Sequence, residues 1–147
     1  MTSEFLLDTS IISVVAPGRP EFATNVGTFI KSNAGLNHLS VVSVLEIQQG
    51  VSSLRRKGGV ERAANLGLWL QTLLSVYANR VINIDAEIAL EAGKLSDFAS
   101  SRGINPGYAE ILIAATAKIK NLQLLTRNMR HFGPLGIRCS DPFESQL

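Results

Sequence analysis

Cysteine and histidine are scarce in this chain of 147 residues, which has one cysteine and two histidines. A single cysteine, Cys139, excludes an internal disulfide, and two histidines, His38 and His131, are too few for a dedicated zinc site. The apolar runs fall far short of the roughly 20 residues of a membrane-spanning helix, and the first residues lack the basic segment of a signal peptide. We therefore expect a soluble, cytoplasmic protein.

Several well-known catalytic signatures are also missing. The chain has no Ser-His-Asp or Cys-His arrangement near a glycine-rich elbow, no P-loop and no dinucleotide-binding fingerprint. Its 14 basic and 12 acidic residues give a formal charge of +2, which favours nucleic acid only weakly. These absences argue against a nucleophilic side chain and leave the partner to be found from local motifs.

Short apolar segments alternate with helical patterns along the whole chain. The hydrophobic content of 46% is ample for one continuous core, so residues 1–147 are predicted to form a single domain. Strands are predicted at 5–7, 37–39, 81–84, 122–125 and 137–139, and helices at 11–15, 21–31, 41–54, 61–78, 85–100 and 108–119. A basic turn at 55–59 is expected to be a mobile surface loop. The alternation predicts an α/β fold with a mainly parallel sheet covered on both faces.

Three carboxylates stand beside or inside apolar segments. Asp8 directly follows the first predicted strand, Glu46 lies within the apolar third helix and Glu110 adjoins the apolar run of the last one. A lone ionised carboxylate near a core costs several kcal/mol, and clustering three is worse unless a cation holds them together. If the fold brings them to Asn128, the fitting ligand is Mg²⁺ or Mn²⁺, and the implied chemistry is metal-assisted attack on a phosphodiester.

Each of these residues also has an ordinary structural interpretation. Asp8 is an acceptable helix N-cap, Glu46 fits a solvent-facing helix position and Glu110 would stabilise the first turn of its helix through the helix dipole. Asn128 alone is typical of a turn after a strand, and His131, next to a phenylalanine, is more often structural than catalytic. Only the joint pattern favours a site.

Receiver domains, which accept a phosphoryl group, are another class of α/β protein with an acidic Mg²⁺ pocket. Such domains have paired acids near the first strand and a lysine after the last core strand. Here Glu4 is separated from Asp8 by the strand itself, and Arg127 follows the fourth strand. The receiver interpretation therefore fits poorly.

Several motifs, in the same order and spacing, resemble the PIN-domain family, and within it the VapC-type toxins of bacterial toxin-antitoxin pairs. They are Leu6–Ser10, Val44–Gly50, Ile113–Ala117, Leu125–Phe132 and the tail Asp141–Phe143. The resemblance implies a three-layer α/β/α sandwich, usually dimeric. It also implies an endoribonuclease that depends on Mg²⁺ or Mn²⁺ and is inhibited by a small antitoxin protein.

The resemblance assigns roles to particular positions. Asp8, Glu46 and Glu110 match the three metal-binding acids, and Asn128 matches the fourth polar position, where relatives have Asp or Asn. Glu110 stands where the family usually has Asp, and the added methylene moves the carboxylate by over about 1 Å. The alternative function is therefore an impaired PIN-fold module that binds antitoxin or RNA without turnover.

Five further residues are candidates for contact with RNA. Thr126 matches the hydroxyl residue that the family has near its site, and Thr9 and Ser10 are expected to orient Asp8 or bind a phosphate oxygen. Arg127 and Arg130 flank Asn128 and are expected to pair with backbone phosphates, although ordinary surface charge explains them equally well.

Overall fold

A computed structural model of the protein describes residues 3–19 and 25–144. Its five strands, all parallel, form one sheet in the order β3-β2-β1-β4-β5. The strands are β1 (Phe5–Leu7), β2 (Asn37–Ser40), β3 (Val81–Ile82), β4 (Gln123–Leu125) and β5 (Cys139–Ser140). The α-helices in the described ranges are α1 (Thr9–Ile12), α2 (Asn25–Ser32), α3 (Val41–Arg56), α4 (Val60–Tyr77), α5 (Ala86–Ser101), α6 (Tyr108–Ile119) and α7 (Met129–Phe132).

The two central strands bury side chains on both faces of the sheet. In β1 and β4 the register pairs Leu6 with Leu124 and Leu7 with Leu125. Because successive side chains of a strand point to opposite faces, the first pair joins the core beneath α5 and α6 and the second joins the core beneath α1, α2 and α4. The sheet is thus the middle layer of an α/β/α sandwich, which confirms the predicted fold class.

Two helix starts follow directly from polar residues in the sequence. Ser40 caps α3, its hydroxyl accepting a hydrogen bond of 3.0 Å from the amide of Val42. Asp85 caps α5 in the same way, with a bond of 2.9 Å from the amide of Ile88. Each cap satisfies an amide that has no partner within the helix, and Ser and Asp are residue types that favour this position.

The structure departs from the sequence expectations at the ends of several elements and at one additional helix. Helix α3 continues to Arg56, so the prediction of a loop from residue 55 was wrong, and only Lys57, Gly58 and Gly59 form the turn to α4. Of the helix expected at 21–31, residues 21–24 lie outside the described ranges, and the remainder belongs to α2 (Asn25–Ser32). The short helix α7 was not predicted. Within the described ranges, every helix is too short or too polar to cross a bilayer.

Candidate active site at the carboxyl ends of β1 and β4

The candidate site lies where the direction of chain connection reverses in the sheet. Strand β1 has β2 on one side and β4 on the other, so the connections that leave β1 and enter β4 pass over opposite faces. In parallel α/β sheets, such a point opens a crevice beyond the carboxyl ends of the strands. Asp8 follows β1 there, and Thr126, Arg127 and Asn128 follow β4.

Asp8 is a buried carboxylate held by two hydroxyl groups. Its side chain is 5% exposed, and Oδ2 accepts hydrogen bonds of 2.8 Å from both Ser10 Oγ and Thr126 Oγ1. Although Asp8 occupies the N-cap position of α1, its side chain makes no capping bond. The capping interpretation therefore does not explain this carboxylate, which is turned instead towards the end of β4.

The same two hydroxyls organise the backbone that leaves β4. Ser10 Oγ accepts a hydrogen bond of 3.1 Å from the amide of Arg127, and Thr126 Oγ1 accepts one of 2.9 Å from the amide of Asn128. A hydroxyl group donates once and accepts as well, so each links Asp8 to a main-chain amide. Contact of either hydroxyl with RNA stays a prediction, and Thr126 is fully buried.

Glu46 is connected to the residue after Asp8. Its Oε1 lies 2.6 Å from Thr9 Oγ1, which is also 2.8 Å from Ser43 Oγ. A carboxylate only accepts, so the single hydroxyl proton of Thr9 goes to Glu46, and Thr9 accepts from Ser43. Because this link brings the Glu46 carboxylate next to the segment that carries Asp8, a freely solvated helix position does not describe it.

Glu110 makes its closest polar contact with another residue of this region. It lies in the first turn of α6, and its Oε2 is 2.8 Å from Nδ1 of His131 on α7. Oε2 is buried and has no hydrogen bond with acceptable geometry, so the contact is a close but unaligned pair. A buried carboxylate oxygen without an aligned donor is costly, which makes it a point where a cation would be stabilising.

The fit of these donors to a metal ion depends on their chemistry and arrangement. In the described ranges, no three side chains of His, Cys, Asp or Glu are grouped so that they could hold an ion. The donors are nevertheless all oxygens, as a hard divalent ion prefers. Within the same ranges, Asp8 forms no ion pair with a basic side chain. The chemical type of these donors therefore suits Mg²⁺ or Mn²⁺. The assignment of each residue as a metal ligand stays a prediction.

Asn128, Arg127 and Arg130 are exposed around the end of β4. Asn128 is the N-cap residue of α7, but its side-chain amide makes no capping hydrogen bond. The guanidinium of Arg127 lies 4.2 Å from the centre of the Phe143 ring, a cation–π contact that holds it at the rim of the site. Both arginines are accessible to a phosphate.

A cleft of about 620 Å³ adjoins the site on the side of α3 and α4. Thr9 and Glu46 line one part of it, Arg19 and Arg62 supply positive charge, and Trp69 is among its apolar walls. Through this cleft, a large molecule can reach the Glu46 carboxylate from the protein surface.

The sequence analysis did not identify Ser43, and it did not count His131 among the catalytic residues. Ser43 lies three positions before Glu46 and so on the same helix face, a spacing that would have pointed to it. His131 was considered structural because of Phe132, which is indeed fully buried. Its pairing with Glu110 depends on how α6 packs against α7, which has no local sequence signal.

Comparison with known proteins agrees with the fold. A family model described as "PIN domain" matches residues 5–132. Toxin FitB of Neisseria gonorrhoeae is 28% identical over 94% of this chain and 97% of its own length. Ribonuclease VapC2 of Rickettsia felis is 26% identical over 87% of this chain and 89% of its own. The crystal structure of FitAcB from Neisseria gonorrhoeae superposes with a TM-score of 0.81 at 26% identity, covering 96% of this chain and 99% of that one.

Proposed function

This chain belongs to the PIN-domain family, and from that premise we propose that it is a metal-dependent endoribonuclease, the toxin of a toxin-antitoxin pair. One observation carries the proposal. Asp8 is a buried carboxylate at the reversal point of the sheet, fixed by two hydroxyls, and a second carboxylate, Glu46, is tied to the adjacent Thr9. A pair of oriented acids without a nucleophilic side chain suits hydrolysis by water.

The proposed reaction breaks one phosphodiester bond of RNA. A water molecule adds to phosphorus in line with the leaving 3′ oxygen, the bond to that oxygen breaks, and the products carry 5′-phosphate and 3′-hydroxyl ends. When bound by Asp8, Glu46, Glu110 and the amide oxygen of Asn128, Mg²⁺ or Mn²⁺ would supply a water of lowered pKa and stabilise charge on the leaving oxygen.

The remaining side chains of the site have positioning and binding roles in this proposal. Ser10 and Thr126 keep the Asp8 carboxylate in one orientation, and Thr9 does the same for Glu46, which preserves geometry that catalysis tolerates poorly when disturbed. Arg127 and Arg130 bind phosphates of the RNA backbone. Their contribution is independent of sequence and weakens with salt.

The test compares two aspartate variants. Purified protein should cleave RNA with Mg²⁺ or Mn²⁺, EDTA should abolish cleavage, and Asp8→Asn should be inactive. Asp85→Asn is the matched control, because Asn caps a helix as well as Asp does, so this variant should stay active. Cleavage that survives EDTA or Asp8→Asn would contradict the proposal.

The second candidate is a PIN-fold module without turnover. The contact of Glu110 with His131, rather than with the other acids, is the observation that favours it. A pure, folded protein that binds RNA or an antitoxin but cleaves none of a panel of transfer, messenger and ribosomal RNAs would support this candidate over the nuclease.

The partners are proposed from the relatives. The matching chains of the solved structures titled FitAcB and FitAB are each 26% identical to this chain, and we propose that it binds a small antitoxin, as its resemblance to the toxins of toxin-antitoxin pairs implies. It is further proposed to form a homodimer, to act in the cytoplasm and to be one domain over residues 1–147. Light scattering that detects only a monomer would contradict the dimer.

A further inference from the structure

Glu110 on α6 contacts His131 on α7. Glu110 stands at a position where the resemblance leads to Asp, and its longer side chain ends 2.8 Å from His131 Nδ1. The two side chains are partly covered, with 28% of Glu110 and 45% of His131 exposed. The two side chains are thus close enough for the imidazole to influence the position of the carboxylate.

A glutamate needs a partner more than an aspartate does at a ligand position. Its extra rotatable bond lets the carboxylate occupy several positions, and ordering it costs side-chain entropy. An imidazole that donates to one carboxylate oxygen fixes the group and leaves the other oxygen free for a ligand. Because Oε2 has no aligned donor, a modest rotation of the His131 ring would supply one.

The backbone of α7 connects this contact to the rest of the site. The amide of His131 donates a hydrogen bond of 2.9 Å to the carbonyl of Asn128, and that of Phe132 donates one of 3.2 Å to the same carbonyl. Phe132 is fully buried, so the short helix is anchored in the core. His131 is thereby held one turn from Asn128, and its position is set by the same turn that sets Asn128.

We infer that His131 is a positioning residue for Glu110: it holds the longer carboxylate so that its other oxygen faces the proposed metal. This inference rests on the proposed function and deepens it, because it explains how Glu110 serves where Asp is usual. His131 itself touches neither the ion nor the RNA in this proposal.

The test measures Mn²⁺ affinity by electron paramagnetic resonance, without RNA and without turnover. Two amide variants separate the role of Nδ1 from that of the ring as a whole. His131→Asn places an amide nitrogen near the Nδ1 position and should keep most of the affinity. His131→Gln places it near Nε2 and should weaken Mn²⁺ binding by about 10- to 100-fold, as loss of a group that orients a ligand typically does. Both variants are polar at a half-exposed position and should fold, which circular dichroism checks.

A double-mutant cycle shows whether the effect acts through Glu110. Glu110→Asp shortens the side chain by a methylene, so it no longer reaches His131, and adding His131→Gln should then change the affinity little. Equal affinity of the Asn and Gln variants, or an undiminished Gln effect in the Glu110→Asp background, would overturn the inference. Absence of Mn²⁺ binding by the unmodified protein would instead refute the proposed function itself.

Discussion

The hydroxyl of Thr126 donates a hydrogen bond of 2.8 Å to the carboxylate of Asp8 across 118 positions of the sequence. Asp8 is 5% exposed and Thr126 is fully buried, so the bond is shielded from water. It joins the end of the first strand to the end of the fourth. The hydroxyl of Thr126 therefore contributes both to the contact between these strand ends and, together with Ser10, to the orientation of the proposed catalytic acid.

Replacing that hydroxyl should destabilise the protein. Thr126→Val keeps the shape of the side chain but removes one of the two hydroxyl donors to Asp8 Oδ2 and leaves the Asn128 amide without its side-chain acceptor. We expect a loss of about 1–3 kcal/mol in the free energy of unfolding, measured by urea denaturation. Thr116→Val is the matched control, since Thr116 is equally buried but bonds only to the Leu112 carbonyl of its own helix. Equal effects of the two substitutions would show that the Asp8 bond has no special weight.

Metal binding should raise the melting temperature through linkage. A ligand that binds only the folded state stabilises it by about 2.7 kcal/mol at 100 times its dissociation constant. Mg²⁺ or Mn²⁺ should therefore raise the melting temperature of the unmodified protein and leave that of Asp8→Asn unchanged. The same shift in both, measured by calorimetry, would place the ion elsewhere.

Because Thr9 and Glu46 are hydrogen-bonded, the effects of substituting them on RNA cleavage should not be additive. Thr9→Val removes the donor that orients the Glu46 carboxylate, and we expect kcat/KM for RNA cleavage to fall by about tenfold, or ~1.4 kcal/mol of transition-state stabilisation. Because Glu46→Ala already removes the acceptor of the same contact, the double variant should be no worse than Glu46→Ala alone. Independent, multiplying effects would show that Thr9 acts by another route.

The single thiol should be slow to react in the folded protein. Burial raises the pKa of Cys139, so the reactive thiolate is less populated at a given pH than in the unfolded chain. Alkylation by iodoacetamide should therefore be slower in buffer than in urea and should rise at higher pH. The raised pKa contributes stability below the unfolded pKa that is lost as the pH rises through the folded one. In Cys139→Ser this alkaline loss should be smaller.

Local signals in the sequence were enough for much of the fold. Helix α6 has the predicted bounds because it is apolar over most of its length and Gly107 precedes it, and the caps Ser40 and Asp85 were recognisable from residue type alone. Helix α7 was missed because four residues are too few to show helical periodicity.

The side-chain contacts of the site depended on packing that no local pattern encodes. The bond from Thr9 to Glu46 requires α1 to lie against α3, and the contact of Glu110 with His131 requires α6 to lie against α7. The sequence indicated which acids to consider. It gave no means of choosing the partner of each.

The candidate site takes its observed geometry only when β1 and β4 pair in the correct register. Because Leu6 faces Leu124 and Leu7 faces Leu125, sliding one strand by a single residue would exchange the two cores and also separate Asp8 from Thr126. A chain with misaligned strands would thus lose its reactive geometry together with its stability. For the proposed endoribonuclease, activity would therefore arise only once these strands have paired correctly.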